Sequence, residues 1–119
     1  MRYNRKAAVA YAREHAEHTD IYQSAADADA TAFVSRCVAA GLGIDAVDLE
    51  LYMTPCECKD VLPGDIVQIR TSAGLPYKSL IVTEKDDLGV LVAAHSYISC
   101  DRPLGSYKLH ELRCFHLTN

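Results

Sequence analysis

The chain has 119 residues, half of them apolar, and carries 12 basic against 16 acidic side chains for a net charge of −4. That length suits one domain, 1–119, with a single core, and the charge balance leaves no basic footprint for nucleic acid or an anionic membrane. Apolar runs are too short for a membrane-spanning helix. Met1-Arg2-Tyr3-Asn4-Arg5-Lys6 is not followed by the apolar run of a signal peptide, which points to a cytoplasmic protein or a trimmed exported one.

Taken in order, residues 4–18 are expected to form a helix capped by Asn4, with Ala8, Val9, Ala12 and Ala16 on one side and Arg13, Glu14 and Glu17 on the other. His15 and His18 stand at i, i+3 on it, but two ligands with no third beside them suit a solvated face better than a metal site. A polar loop around Tyr22 leads to a second helix over 29–41. There Asp29 is the expected N-cap, Phe33, Val34, Cys37 and Val38 form the apolar face, and Gly41 is the expected left-handed stop.

From 42 to 63 the pattern weakens, and 44–51 mixes apolar and acidic residues in a way that suits a short helix or an irregular crossing. Cys56-Glu57-Cys58 lacks a second ligand pair, so unpaired loop thiols are expected there in place of zinc. Cysteines at 37, 56, 58, 100 and 114 are odd in number and irregular in spacing, a poor disulfide framework for which a reducing compartment is the simplest setting. Strands follow: 64–70 after a Pro63-Gly64 turn, 79–83 and 90–95 joined as a hairpin by the acidic turn 84–89, and 107–117 as one more strand or a bent pair. Helices first and strands afterwards make an α+β domain.

Several of these stretches carry a resemblance. Tyr3-Asn4-Arg5-Lys6-Ala7-Ala8-Val9-Ala10-Tyr11-Ala12, Asp29-Ala30-Thr31-Ala32-Phe33-Val34-Ser35-Arg36, Pro63-Gly64-Asp65-Ile66-Val67-Gln68, Lys78-Ser79-Leu80-Ile81-Val82-Thr83 and Ala94-His95-Ser96 occur in the order of the motifs of an amidase domain family. That family is a branch of the NlpC-type, papain-like cysteine hydrolases of bacterial cell walls. The second of these resembles the family's Asp-Cys-Thr-Asn-Phe-Val-Ser-Gln, whose Cys is the nucleophile. The resemblance implies N-terminal helices packed on a small antiparallel sheet or half-barrel. It also implies a nucleophile at position 30, a general base at 78, an orienting His95, a groove flanked by Asp29 and Thr31, and no cofactor or metal.

This chain departs from the family where the chemistry would be. Position 30 is Ala30 and position 78 is Lys78; the motif's Asn is Ala32, and the chain has no Trp, which relatives carry in the segment that walls their groove. A methyl group cannot attack a carbonyl, and an exposed Lys, at a pKa of about 10.4, stays protonated at neutral pH and is no base. Cys37 is not a displaced nucleophile, since it stands about 10 Å further along the helix and faces the core.

The expectation is therefore an inactive domain with a residual groove for a peptide or a peptidoglycan-type fragment, in which Lys78 pairs with a carboxylate. One alternative is a cell-wall amidase or endopeptidase inactivated by a Cys-to-Ala change at position 30. Another is an interaction or oligomerisation module that uses a sheet edge or Tyr77, Tyr97 and Tyr107.

Overall fold

The computed structural model describes residues 3–15, 26–44, 49–70, 78–87, 89–94, 99–106 and 111–117. The side chains of residues 15, 26–32, 50, 78, 94, 99–102 and 106 stand outside that description. Asn4 caps the first helix as its side chain suggests: Asn4 Oδ1 accepts from the amide of Ala7 at 3.0 Å. Helix α1 (Arg5–His15) buries Ala8, Val9 and Ala12 and leaves Arg13 and Glu14 exposed. The expected continuation to 18, with His18, lies outside the described residues.

Helix α2 (Ala26–Leu42) begins a turn earlier than expected. Asp29 is therefore inside the helix and is not its N-cap. Ala26 and Ala28 are good helix formers and let the helix begin there. The expected apolar face is correct: Phe33, Val34, Cys37 and Val38 are fully buried.

The C-terminus also departs from expectation. Gly41 does not stop the helix; Gly43 does, at φ +72°. The amides of Gly43 and Ile44 reach back to the carbonyls of Ala40 (3.3 Å) and Ala39 (3.1 Å), the doubled closure of a Schellman motif. Gly41 serves a different need. A Cβ there would come within 2.5 Å of Tyr3 Cε1 and 2.9 Å of the Asn4 carbonyl, because the chain entering α1 crosses α2 at that point and the Asn4 amide donates to the Gly41 carbonyl at 2.7 Å.

The strands are β1 (Met53–Cys56), β2 (Ile66–Arg70), β3 (Lys78–Asp86), β4 (Gly89–Ala94), β5 (Ser99–Pro103) and β6 (Glu111–Leu117). They form a six-stranded sheet in the order β1-β6-β2-β3-β4-β5, every pairing antiparallel. The β3–β4 hairpin is the expected one. Its turn is tighter than 84–89, with strand pairing kept to Asp86 and Gly89, Gly89 at φ +141°, and the Gly89 amide bonded to Asp86 Oδ1 at 3.1 Å.

Strands β1 and β5, both at sheet edges, were not expected, and the 42–63 segment is thus less irregular than its sequence suggests. The helices pack on one face of the sheet, with Ile66, Ile81, Ala93 and Leu117 meeting α1 and α2. Alternate positions (Val67, Ile69, Leu80, Val82, Val92 and Cys114) bury the other face with Val61. Among the described residues no helix is long and apolar enough to cross a membrane.

Cys58 and Cys114 form a disulfide, so the expectation of unpaired thiols at Cys56-Glu57-Cys58 is corrected for one of the two. The reason is topological. Residues 56 positions apart in sequence meet because β1 pairs with β6, a pairing that Cys spacing does not reveal.

Candidate functional site

Of the positions marked by sequence, Asp29, Ala30 and Thr31 stand in the first third of α2, and Lys78 opens β3 in register with Ile69. Helix α2 lies on β3 through Phe33, Val34 and Ile81, which makes the elements that carry Ala30 and Lys78 neighbours. The side chains of Asp29, Ala30, Thr31 and Lys78, and all of His95, lie outside the described residues, as do Tyr77, Tyr97 and Tyr107. Because α2 starts at Ala26, position 30 follows the free N–H groups of the first turn and does not head them.

The described thiols are poor nucleophiles. Cys37 is fully buried, and burial pushes it up to about 12 from an ordinary 9.0. Burial and the carboxylates of Asp65 and Asp60 raise Cys56 as well. Cys58 and Cys114 are bonded to each other. Among the described residues no group of three or more His, Cys, Asp and Glu is placed to hold a metal.

Beside Ser79, on the helix-covered side of the sheet, is a cleft of about 360 Å³ walled by Leu49, Met53, Pro55, Phe115 and a polar row. In that row Arg113 Nη2 donates to Gln68 Oε1 (2.7 Å) and Gln68 Nε2 donates to Ser79 Oγ (3.3 Å). The row crosses β6, β2 and β3 at a shared register level, where antiparallel pairing puts facing side chains on one side of the sheet. Ser79 is buried and Arg113 is exposed, so the row runs from the interior to the surface.

A buried charge cluster joins the resembling motifs. Asp65 is 0% exposed and accepts from Arg5 Nη1 (2.6 Å) and the amides of Leu62 (2.8 Å) and Leu117 (2.9 Å), with His116 Nδ1 at 2.6 Å. Tyr3 Oη donates to the Gly64 carbonyl at 2.6 Å, and burial raises its phenol well above the ordinary value. Sequence reasoning noted both Tyr3-Asn4-Arg5 and Gly64-Asp65 but not their contact. An Asp after Gly at a strand start, together with an Arg at a helix start, was the available signal. Comparison with protein families, curated proteins and solved structures finds no match.

Proposed function

We propose that this chain is an amidase-like domain of the papain-type architecture that has lost its chemistry and keeps a groove for an acidic peptide or peptidoglycan-type fragment. The state of the thiols carries the reading. The nucleophile position is Ala30, and Cys37, Cys56, Cys58 and Cys114, the cysteines whose side chains are described, are each buried, raised or bonded, so none of these four sulfurs is poised to attack a carbonyl.

Two further observations support it. The motif pair Tyr3-Asn4-Arg5 and Gly64-Asp65 is joined by an ion pair from Arg5 to the buried Asp65 carboxylate and by the Tyr3 hydrogen bond to Gly64. The cleft beside Ser79 presents Gln68 and exposed Arg113 next to apolar walls, a surface on which a carboxylate and an apolar side chain of a peptide both find partners.

Titrating an acidic peptide into wild type and Arg113→Ala tests the groove. Binding by wild type that falls several-fold in Arg113→Ala is expected. Equal, negligible binding by both proteins would remove the groove from the account.

A further inference from the structure

A second cleft lies at the far end of β3, five residues and so about 17 Å of extended strand from Lys78. It occupies about 510 Å³ between the flank of α1 and the turn before β2, within the range of about 300–1,000 Å³ usual for small-molecule sites. Its walls are Val9 and Ala10 on the helix and Leu62 and Pro63 on the turn. Leu62 is 46% exposed and offers its side chain to the cleft as an apolar wall.

One polar side chain enters this apolar space. Thr83 is only 3% exposed, lines the cleft, and among the described residues its Oγ1 has no hydrogen-bond partner. The backbone explains its placement. In the β3–β4 ladder Val82 pairs with Val92 and Glu84 with Leu91, so Thr83 is the extra residue of a β-bulge, a feature that re-aims side chains. The turn is held against it: the Gly64 amide donates to the Val82 carbonyl at 2.7 Å and the Val82 amide to the Asp65 carbonyl at 2.9 Å.

The rim is basic. Arg5, Lys6 and Arg13, three of the chain's 12 basic residues, line this one cleft in a molecule whose net charge is −4. Arg5 is engaged by Asp65 at 2.6 Å. Arg13 lies 3.9 Å from Glu84 with both side chains well exposed, a contact that solvent screens, and Lys6 is exposed. Spacings of i, i+4 and i+8 put Arg5, Val9 and Arg13 in one row, and Lys6 with Ala10 in the next, so cations and apolar wall share one helix flank.

The geometry points to a binding site for a small amphipathic carboxylate. Its apolar chain lies between α1 and Leu62-Pro63, its carboxylate accepts from Lys6 and Arg13, and the Thr83 hydroxyl donates to it from the cleft wall. This site is independent of the groove beside Ser79.

Octanoate titrated into the full chain, with the methyl resonances of Val9 and Leu62 followed by NMR, is the test. Saturable shifts of both methyls are expected, with octan-1-ol at least about tenfold weaker because it lacks the charge. Lys6→Ala and Thr83→Val are expected to weaken octanoate several-fold each. Ala10→Phe, on an exposed position, is expected to abolish binding with an unchanged thermal melt. No saturation by octanoate, equal affinity for octan-1-ol, or undiminished binding to Ala10→Phe would each overturn the assignment. So would binding to phosphatidylglycerol vesicles without any response to octanoate, which would make the basic flank a membrane contact.

Discussion

Asp65 ties together parts of the chain that are far apart in sequence: the start of α1 through Arg5, its own turn through Leu62, and the end of β6 through His116 and Leu117. Removing one partner of such a pair leaves the other charge and several donors without their acceptor, so Asp65→Ala is expected to cost about 3 kcal/mol in urea unfolding. Thr83→Val should act in the opposite direction. It removes a buried hydroxyl without a described partner at constant shape, and a gain of about 1 kcal/mol is expected from the same measurement.

Cys37 gives a pH dependence. Its thiol titrates at about 12 in the folded chain against an ordinary 9.0, so the unfolded chain gives up that proton first. The stability it contributes is whole below about pH 9 and declines as pH rises toward 12. Buried Tyr3, also raised, adds a decline of the same sign at more alkaline pH. Urea unfolding at a series of alkaline pH values should show the fall, and Cys37→Ala should lessen it by up to about 1.4 kcal/mol per pH unit. At this scale the identity of the core positions was legible from periodicity. The role of Asp65 was not, because its partners Arg5 and His116 lie 60 and 51 residues away.

Both helices were legible because each carries a cap or stop residue and a 3.6-residue apolar period. The error at the end of α2 arose because two glycines stand two positions apart, with Leu42 between them, and sequence does not say which takes positive φ and which admits a crossing chain. Alanine substitutions separate those roles. Gly43→Ala, with open space around its Cβ, should cost about 1 kcal/mol of backbone strain. Gly41→Ala should cost more and disturb Tyr3, since the added carbon meets a backbone oxygen and a packed ring; thermal melts and Tyr3 resonances would report both.

Strands β2, β3 and β4 announced themselves by runs of Val, Ile and Leu, and β6 by the spaced apolar positions Leu112, Phe115 and Leu117. Edge strands β1 and β5 did not. Their sequences, MTPC and SCDRP, contain a proline each and almost no β-branched residues, and an edge tolerates these because one side of it needs no ladder partner.

Across the molecule, the sheet is buried on both faces, by the two helices on one and by a smaller cluster with the Cys58–Cys114 bridge on the other. Closing a loop of 56 residues restricts the unfolded chain, and loss of the bridge should cost about 2–4 kcal/mol. Cys56 faces Cys114 across the β1–β6 ladder and could take the place of Cys58, so Cys56→Ser with Cys58→Ser is the variant to unfold. The α+β class and the order of helices before strands were legible from the sequence. The candidate site was legible only as positions, because the proximity of α2 to β3 is a product of packing, and the clefts beside Ser79 and Thr83 depend on register and on a bulge that no local pattern encodes.

The central claim is that a hydrolase-like framework persists here without working chemistry. Ala30→Cys tests it most directly, assayed for thiol reactivity near neutral pH and for cleavage of muropeptides. The account predicts a protein that stays folded, whose new thiol reacts no faster than a free cysteine and which turns over no substrate, because the proposed base position carries Lys78 in place of an imidazole. A fast-reacting thiol with multiple-turnover cleavage would contradict it.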